Sequence, residues 1–179
     1  MRVLITGAAG SGTTTLGEAL AQRWNAQFLE ADSYFWLQTQ PPYTTRRMPE
    51  ERNEVLMQTL AANPASVVSG SIIGWGTQVE STFNLVVFLY VPTDVRLRRL
   101  ESREVLRFGR IDPAFLAWAA QYDEGPKEGR SLEKHNSWLA TRECQVVRLD
   151  GNQSVAELVS EVEHQASRSF LEGVSNSNV

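Results

Sequence analysis

The chain has 179 residues, enough for one domain with a sizeable core, and its 42% hydrophobic and 21% charged content is that of a soluble globular protein. A net charge of −4 and a pI near 5.3 argue against nucleic acid or an anionic membrane as the main partner, so any anion site must be local. Lys127 and Lys134 are the two lysines among seventeen basic residues, so phosphate charge would be met by arginine, backbone amides and metal.

In chain order, strands are predicted over residues 2–6, 26–30, 65–69, 85–91 and 144–149, with helices over 12–24, 49–62, 93–108 and 155–167. Several strands are continuous apolar runs, Leu85-Val86-Val87-Phe88-Leu89 above all, as expected when helices cover both faces of a parallel sheet. Pro49 opens one helix and Asn63-Pro64 stops it; Thr93-Asp94 starts another after Pro92. Between Gly109 and Arg142 the strand signal disappears. Asp112-Pro113 begins a short helix running to Tyr122, a turn is expected at 125–129, and Ser131 begins a second helix. The first apolar run ends after four residues at Thr6-Gly7, so no signal peptide is expected, and no run reaches the ~18 residues of a membrane span. Cys144, the single cysteine, excludes an internal disulfide and reads as a core filler; a reducing, cytoplasmic location is expected. The tail after Arg168 is expected to be flexible.

The first strand feeds into Gly7-Ala8-Ala9-Gly10-Ser11-Gly12-Thr13-Thr14, followed by Thr15 and a helical pattern. This is the phosphate loop G-x-x-x-x-G-K-[ST] with Thr13 in place of lysine. Backbone N–H groups of such a loop and the helix N-terminus behind it bind anions, and Thr14 stands where a hydroxyl ligates Mg²⁺. Thr6-Gly7-Ala8-Ala9-Gly10 also resembles the opening of NAD(P)-binding short-chain dehydrogenases, with Glu30 or Asp32 as the acidic residue about twenty positions on. Against that reading, Thr13 replaces the third glycine and no Tyr-x-x-x-Lys pair exists.

The loop resembles the P-loop kinase group that includes adenylate, cytidylate and shikimate kinases; archaeal-type cytidylate kinases carry a similar Gly-Ser-Gly-Thr-Thr-Thr string. The resemblance implies a doubly wound α/β domain over residues 1–168, a five-stranded parallel sheet with a helical lid insertion at about 109–142, and a tail at 169–179. It implies ATP and Mg²⁺ as cofactors and a small-molecule acceptor, in a monomer or homodimer.

Adenylate-kinase-like proteins have a segment similar to 91–103, with two arginines four apart before a lid. The resemblance makes Arg99 the residue that stacks on adenine and Arg103 a catalytic contact to the phosphates. Arg99, Arg103 and Arg107 share a helix face, which could equally be a solvated basic face paired with Glu101 and Glu104. Arg110 and Arg130 would add phosphate donors on closure. Trp118, Tyr122 and Trp138 read as the insertion's own small core, and His135 as a structural hydrogen-bonding residue. By the same resemblance Asp150-Gly151 touches the nucleotide base, although this pair could equally start a helix.

Strand two ends Glu30-Ala31-Asp32. Shikimate- and gluconate-kinase-like proteins place an Asp in this region, which implies that Asp32 orients the acceptor hydroxyl or helps hold Mg²⁺, with Glu30 in reserve; Asp32 could also simply cap a turn. Arg46 and Arg47 suggest an anionic group on the acceptor. Strand three ends without a Walker B aspartate, and Gly70, Gly74 and Gly76 allow close approach of a small ligand, with Trp75 an exposed loop aromatic. The expected activity is Mg²⁺-ATP-dependent phosphoryl transfer to a small, anionic metabolite or nucleotide. A nucleotide-binding module with little transfer is the main alternative, and the dehydrogenase-like reading the second.

Overall fold

The computed structural model describes residues 1–125 and 129–175. Its elements are β1 (Arg2–Gly7), α1 (Thr13–Arg23), β2 (Gln27–Glu30), α2 (Ala31–Phe35), α3 (Pro49–Ala62), β3 (Ser66–Ser69), α4 (Thr77–Glu80), β4 (Leu85–Tyr90), α5 (Thr93–Phe108), α6 (Pro113–Ala120), α7 (Leu132–Ala140), β5 (Gln145–Asp150) and α8 (Val155–Ser175). Five parallel strands lie in the order β2-β3-β1-β4-β5. Because β3 separates β2 from β1, the order differs from the 3-2-1 start of dinucleotide-binding sheets, and the dehydrogenase-like reading is excluded.

Alternation along the strands splits the core into two layers. Leu4, Val68, Val86 and Phe88 face one side, where Leu56 and Leu60 of α3 and Trp138 and Leu139 of α7 cover them. Val3, Ile5, Val67, Val87 and Leu89 face the other, under Leu16 and Leu20 of α1 and Leu158 and Val162 of α8. The helix starts follow local chemistry. Pro49 and Pro113 occupy the first turns of α3 and α6, Asp112 accepts from the Ala114 amide at 2.9 Å, and Ser131 accepts from the Lys134 amide at 3.1 Å. Ser154 and Glu157 exchange hydrogen bonds to each other's amides at the head of α8.

Several expectations need correction. Whereas Tyr122 is buried within the insertion against His135, Trp138, expected in a core of the insertion's own, is buried with Leu139 in the main one. Burying two such side chains contributes roughly 1.5–3 kcal/mol each, which ties α7 to the sheet. The segments 31–35 and 77–80 are short helices, seated by buried Ala31 and Val79 and too brief to show a period. Helix α8 continues to Ser175, beyond the expected end at residue 167, so the tail expected from 169 is helical over most of its length. Residues 176–179, and residues 126–128 of the expected turn, lie outside the described residues. No helix among the described residues is long and apolar enough to cross a membrane.

His135 on α7 is fully buried, with Nδ1 2.8 Å from the Tyr122 hydroxyl and Nε2 3.2 Å from Thr6 Oγ1. Burial, aided by the nearby Arg130 charge, lowers its pKa from 6.5 to about 4. A folded-state value below the unfolded one means that the native form binds fewer protons, so this stabilisation is complete above pH 6.5 and fades as pH falls toward 4. Full loss corresponds to on the order of 3 kcal/mol. Urea unfolding midpoints of the wild type should drop more steeply than those of His135→Gln between pH 6.5 and 4; parallel curves would refute this origin.

Candidate nucleotide and acceptor site

The carboxyl end of β1 is the point where the chain turns to opposite sides of the sheet, with β3 and β2 on one flank and β4 and β5 on the other. The loop 7–12 folds there under tight steric limits. A β-carbon on Gly7 would lie 2.6 Å from both the Leu89 carbonyl oxygen and Ser11 Oγ. Gly10, at φ +83°, is pressed onto α5, where a β-carbon would meet the Arg96 carbonyl oxygen at 2.7 Å. Gly12, at φ +95°, caps α1 with open space around it. No side chain caps α1 and its first turn holds no acid, so its leading N–H groups are free for an anion. This is the cradle a polyphosphate needs, and the residues fit it. Thr13 and Thr15 open the helix behind, and Ser11 Oγ is buried without a hydrogen-bond partner.

Register decides which carboxylate reaches the loop. Parallel pairing sets Glu30 beside Ser69, and Thr14 Oγ1 donates to Glu30 Oε1 at 3.3 Å. Glu30, rather than Asp32, is therefore the acid at Thr14, and two hard oxygen donors suit Mg²⁺, which takes few protein ligands and keeps several waters. The described residues contain no cluster of three or more His, Cys, Asp or Glu able to hold a metal. Asp32, one residue into α2, instead faces Arg130 Nη2 at 3.8 Å.

On the nucleotide side, both Nη atoms of Arg99 donate to the Gly151 carbonyl at 3.1 Å. Gly151 packs against the loop, a β-carbon there lying 3.1 Å from the Ser11 carbonyl oxygen and 2.5 Å from Val91. Arg99, Gly151 and the phosphate loop thus converge, and Asp150 accepts from the Asn152 amide at 3.0 Å to shape the turn. Arg103 lies farther out on the exposed half of α5, paired with Glu104 at 2.7 Å, while the Arg107 guanidinium lies over the Phe108 ring at 5.3 Å. Arg110 is exposed beyond the helix end.

On the acceptor side, Trp75 departs from expectation. It is buried rather than exposed, because Phe35 from α2 stacks on it at 6.2 Å and the Arg52 guanidinium lies 4.1 Å from its ring centre. Gly70 lets Ala31 approach; a β-carbon there would meet Ala31 Cβ at 2.9 Å. Glu80 accepts from the amides of Gly74 and Gly76 at 2.8 and 3.2 Å, fixing that loop. Arg46 is exposed and lies over Phe35 and Trp36, whereas Arg47 is held by Glu51 and the Tyr34 carbonyl. The acceptor face therefore keeps Arg46 open and commits Arg47 to structure.

Sequence reading missed Arg52. It is 6% exposed, its Nε donates to Asn53 Oδ1 at 3.0 Å, and no carboxylate among the described residues lies within ion-pair distance. Burial lowers its pKa from the ordinary value, yet a guanidinium keeps its proton. The signal was present: Arg52, Leu56 and Leu60 form one buried stripe of α3, with an arginine where an apolar residue is expected. Cys144 is half-buried and burial pushes its thiol pKa up, which agrees with a packing role.

A family model described as an AAA domain matches residues 3–107, more than half of the chain. The chain belongs to this AAA-domain family. The uncharacterized protein YqaC of Bacillus subtilis is 39% identical over 168 residues, spanning 88% of this chain and 93% of that one. The same fold occurs in shikimate kinase from Bacteroides thetaiotaomicron (TM-score 0.63, 18% identity, 93% of this chain and 98% of that one). It occurs also in a gluconokinase from Sinorhizobium meliloti (TM-score 0.59, 19% identity, 99% and 97% covered). The architecture is thus one shared with these two kinases.

Two glycines of the loop should respond differently to a methyl group. Gly12→Ala meets open space and bears only the left-handed backbone cost, roughly 1–2 kcal/mol. Gly10→Ala adds a clash with an immovable carbonyl, and should exceed it by about 1–3 kcal/mol in urea unfolding. Equal losses would show that α5 gives way.

Proposed function

We propose that the chain is an Mg²⁺-ATP-dependent phosphotransferase whose acceptor is a small molecule carrying a hydroxyl and an anionic group. The observation that carries this reading is Arg52, a nearly buried cation with no carboxylate at ion-pair distance among the described residues and only the more distant charge of Glu50 to oppose it, on the acceptor side of a crevice that opens on a phosphate loop. A buried charge left unpaired costs several kcal/mol, and an anionic ligand offsets that cost on binding. Arg46, open above Phe35 and Trp36, adds a second cation on this side.

In this reading the loop amides other than that of Ser11, which donates to the Ala8 carbonyl at 3.1 Å, and the α1 N-terminus hold the β-phosphate of ATP. Thr14 and Glu30 hold Mg²⁺, directly or through water, and the ion when bound supplies charge neutralisation at the phosphate oxygens. Arg99 and the Asp150-Gly151 turn border the base. Asp32, beyond the strand end and steadied by Arg130, orients the acceptor hydroxyl and takes its proton as transfer proceeds. Arg103, released from Glu104, meets charge on the transferring phosphoryl group. Arginines in such positions can supply orders of magnitude in rate, so the missing lysine does not forbid turnover.

Thr13 and the Arg103–Glu104 pair favour a second reading, a nucleotide-binding module with little transfer. A panel of small hydroxy-acids and nucleoside monophosphates assayed for ADP release with Mg²⁺ separates the two. Turnover with one acceptor supports the kinase, whereas tight MgATP binding with no turnover on any acceptor favours the module. In Thr13→Lys, a gain of ATP hydrolysis in an otherwise inert protein would likewise favour the module.

Arg52→Met should leave ATP affinity unchanged and raise the acceptor KM at least tenfold, the scale of one lost charge-assisted contact. Because this buried charge has no close ion pair, removing it should also leave the ligand-free protein as stable as before, or more so. A thermal melt that collapses in Arg52→Met would show instead that the guanidinium holds the fold. Glu30→Gln should raise the Mg²⁺ concentration needed for half-maximal ATP binding by about 10-fold or more, read by calorimetry; an equal effect of Asp32→Asn would reassign the metal site.

A further inference from the structure

Arg96 is the largest fully buried side chain among the described residues. It stands in the first turn of α5, directly beneath the phosphate loop. Its Nε donates to the Val91 carbonyl at 3.0 Å, Nη1 to the carbonyls of Ala119 at 3.2 Å and Ala9 at 3.4 Å, and Nη2 to Thr93 Oγ1 at 2.8 Å. Every one of these acceptors is neutral. The one acid near it, Asp123, approaches only to 3.7 Å; its Oδ2 accepts from Thr93 and its buried Oδ1 makes no hydrogen bond. The charge of Arg96 is therefore solvated chiefly by carbonyl dipoles, with Asp123 opposing it from 3.7 Å without a hydrogen bond.

Both halves of this residue touch the loop. Its side chain grips the Ala9 carbonyl, and its main-chain carbonyl forms the floor against Gly10. The other cations nearby are placed differently: Arg99 is bound to Gly151 and Arg103 to Glu104, both in solvent-exposed positions where water screens them. Arg96 has no solvent contact, so its field reaches the loop with little screening.

We propose that Arg96 stands in for the lysine this loop lacks, as a positioning residue that clamps Ala9 and Gly10 and supplies positive potential to a bound polyphosphate from below the loop. The proposal rests on the nucleotide-binding reading above. It makes Thr13 tolerable because the charge has moved from a mobile side chain over the loop to a fixed one under it. A purely structural staple joining α5, α6 and the loop would share the same hydrogen bonds, but its loss would not depend on ligand charge.

The test is calorimetry of wild type, Arg96→Gln, Arg96→Gln/Thr13→Lys and Asp123→Asn with inorganic tripolyphosphate, ATP, ADP and AMP. Arg96→Gln should weaken tripolyphosphate and ATP on the order of tenfold, with progressively smaller losses for ADP and AMP. Adding Thr13→Lys should restore most of the lost affinity. Equal losses for all four ligands, or no rescue by the lysine, would overturn the proposal. If Arg96→Gln does not fold, Asp123→Asn decides: leaving Arg96 less opposed, it should tighten tripolyphosphate binding, and unchanged or weaker binding overturns the idea. Absence of any triphosphate binding by the wild type would remove the nucleotide reading itself, and this proposal with it; binding by the wild type with a charge-independent loss removes this proposal alone.

Discussion

Parallel hydrogen bonding of β1 to both β3 and β4 positions everything else in the molecule. It sets Ile5 opposite Ser69 and Gly7 opposite Leu89, while the outer pairs set Glu30 opposite Ser69 and Tyr90 opposite Asp150. The last residues of all five strands therefore reach one edge of the sheet. A slip of one residue would exchange Val3 and Ile5 with Leu4 between the two core layers, so the apolar pattern defends the register. Once Gly7 is fixed against the Leu89 carbonyl, the loop folds back onto α5, where Gly10 meets the Arg96 carbonyl. Site geometry here is a consequence of sheet pairing.

Two arginines on apolar helix faces show how the same burial can serve opposite ends. Arg96 shares its stripe with Leu100, and Arg52 shares its own with Leu56 and Leu60. Moving a guanidinium out of water costs several kcal/mol, and a hydrogen bond to a charged group returns about 1.5–3 kcal/mol. Arg96 reaches four neutral acceptors, so the fold itself meets the cost. Arg52 reaches the one acceptor Asn53 among the described residues and rests otherwise on the faces of Trp75 and Phe35. Arg52 thus finds fewer hydrogen-bond acceptors than Arg96 and relies on two aromatic faces and the charge of Glu50.

Much of the architecture was readable along the chain because its punctuation is local. Helices α3 and α5 run between the residues expected, since Pro49, Asn63, Pro92 and Gly109 each act on their immediate neighbours. The five strands were visible as apolar runs bounded by turn residues. What escaped depends on partners distant in sequence. Trp75, flanked by glycines, looks like an exposed loop residue until Phe35 and Arg52 close over it. Glu30 and Asp32 are indistinguishable by spacing, and only the β2–β3 register brings one of them to Thr14. Arg52 was legible in principle, as a cation on the apolar face of α3, but a buried arginine is uncommon enough that a solvated one is the default reading.

The insertion between β4 and β5 divides along the same lines. Its second helix, α7, is part of the main core through Trp138 and Leu139, and His135 ties it to Thr6 at the root of the phosphate loop. Trp138 also donates to Glu80 at 2.6 Å, the acid that holds the amides of Gly74 and Gly76 on the acceptor side. Helix α7 thus buttresses both the nucleotide loop and the acceptor loop. Arg130 sits next to the cap of this fixed helix and already faces Asp32. The charge beside Asp32 is accordingly set by the frame of α7, whereas Arg103 and Arg107 stand on the exposed outer half of α5.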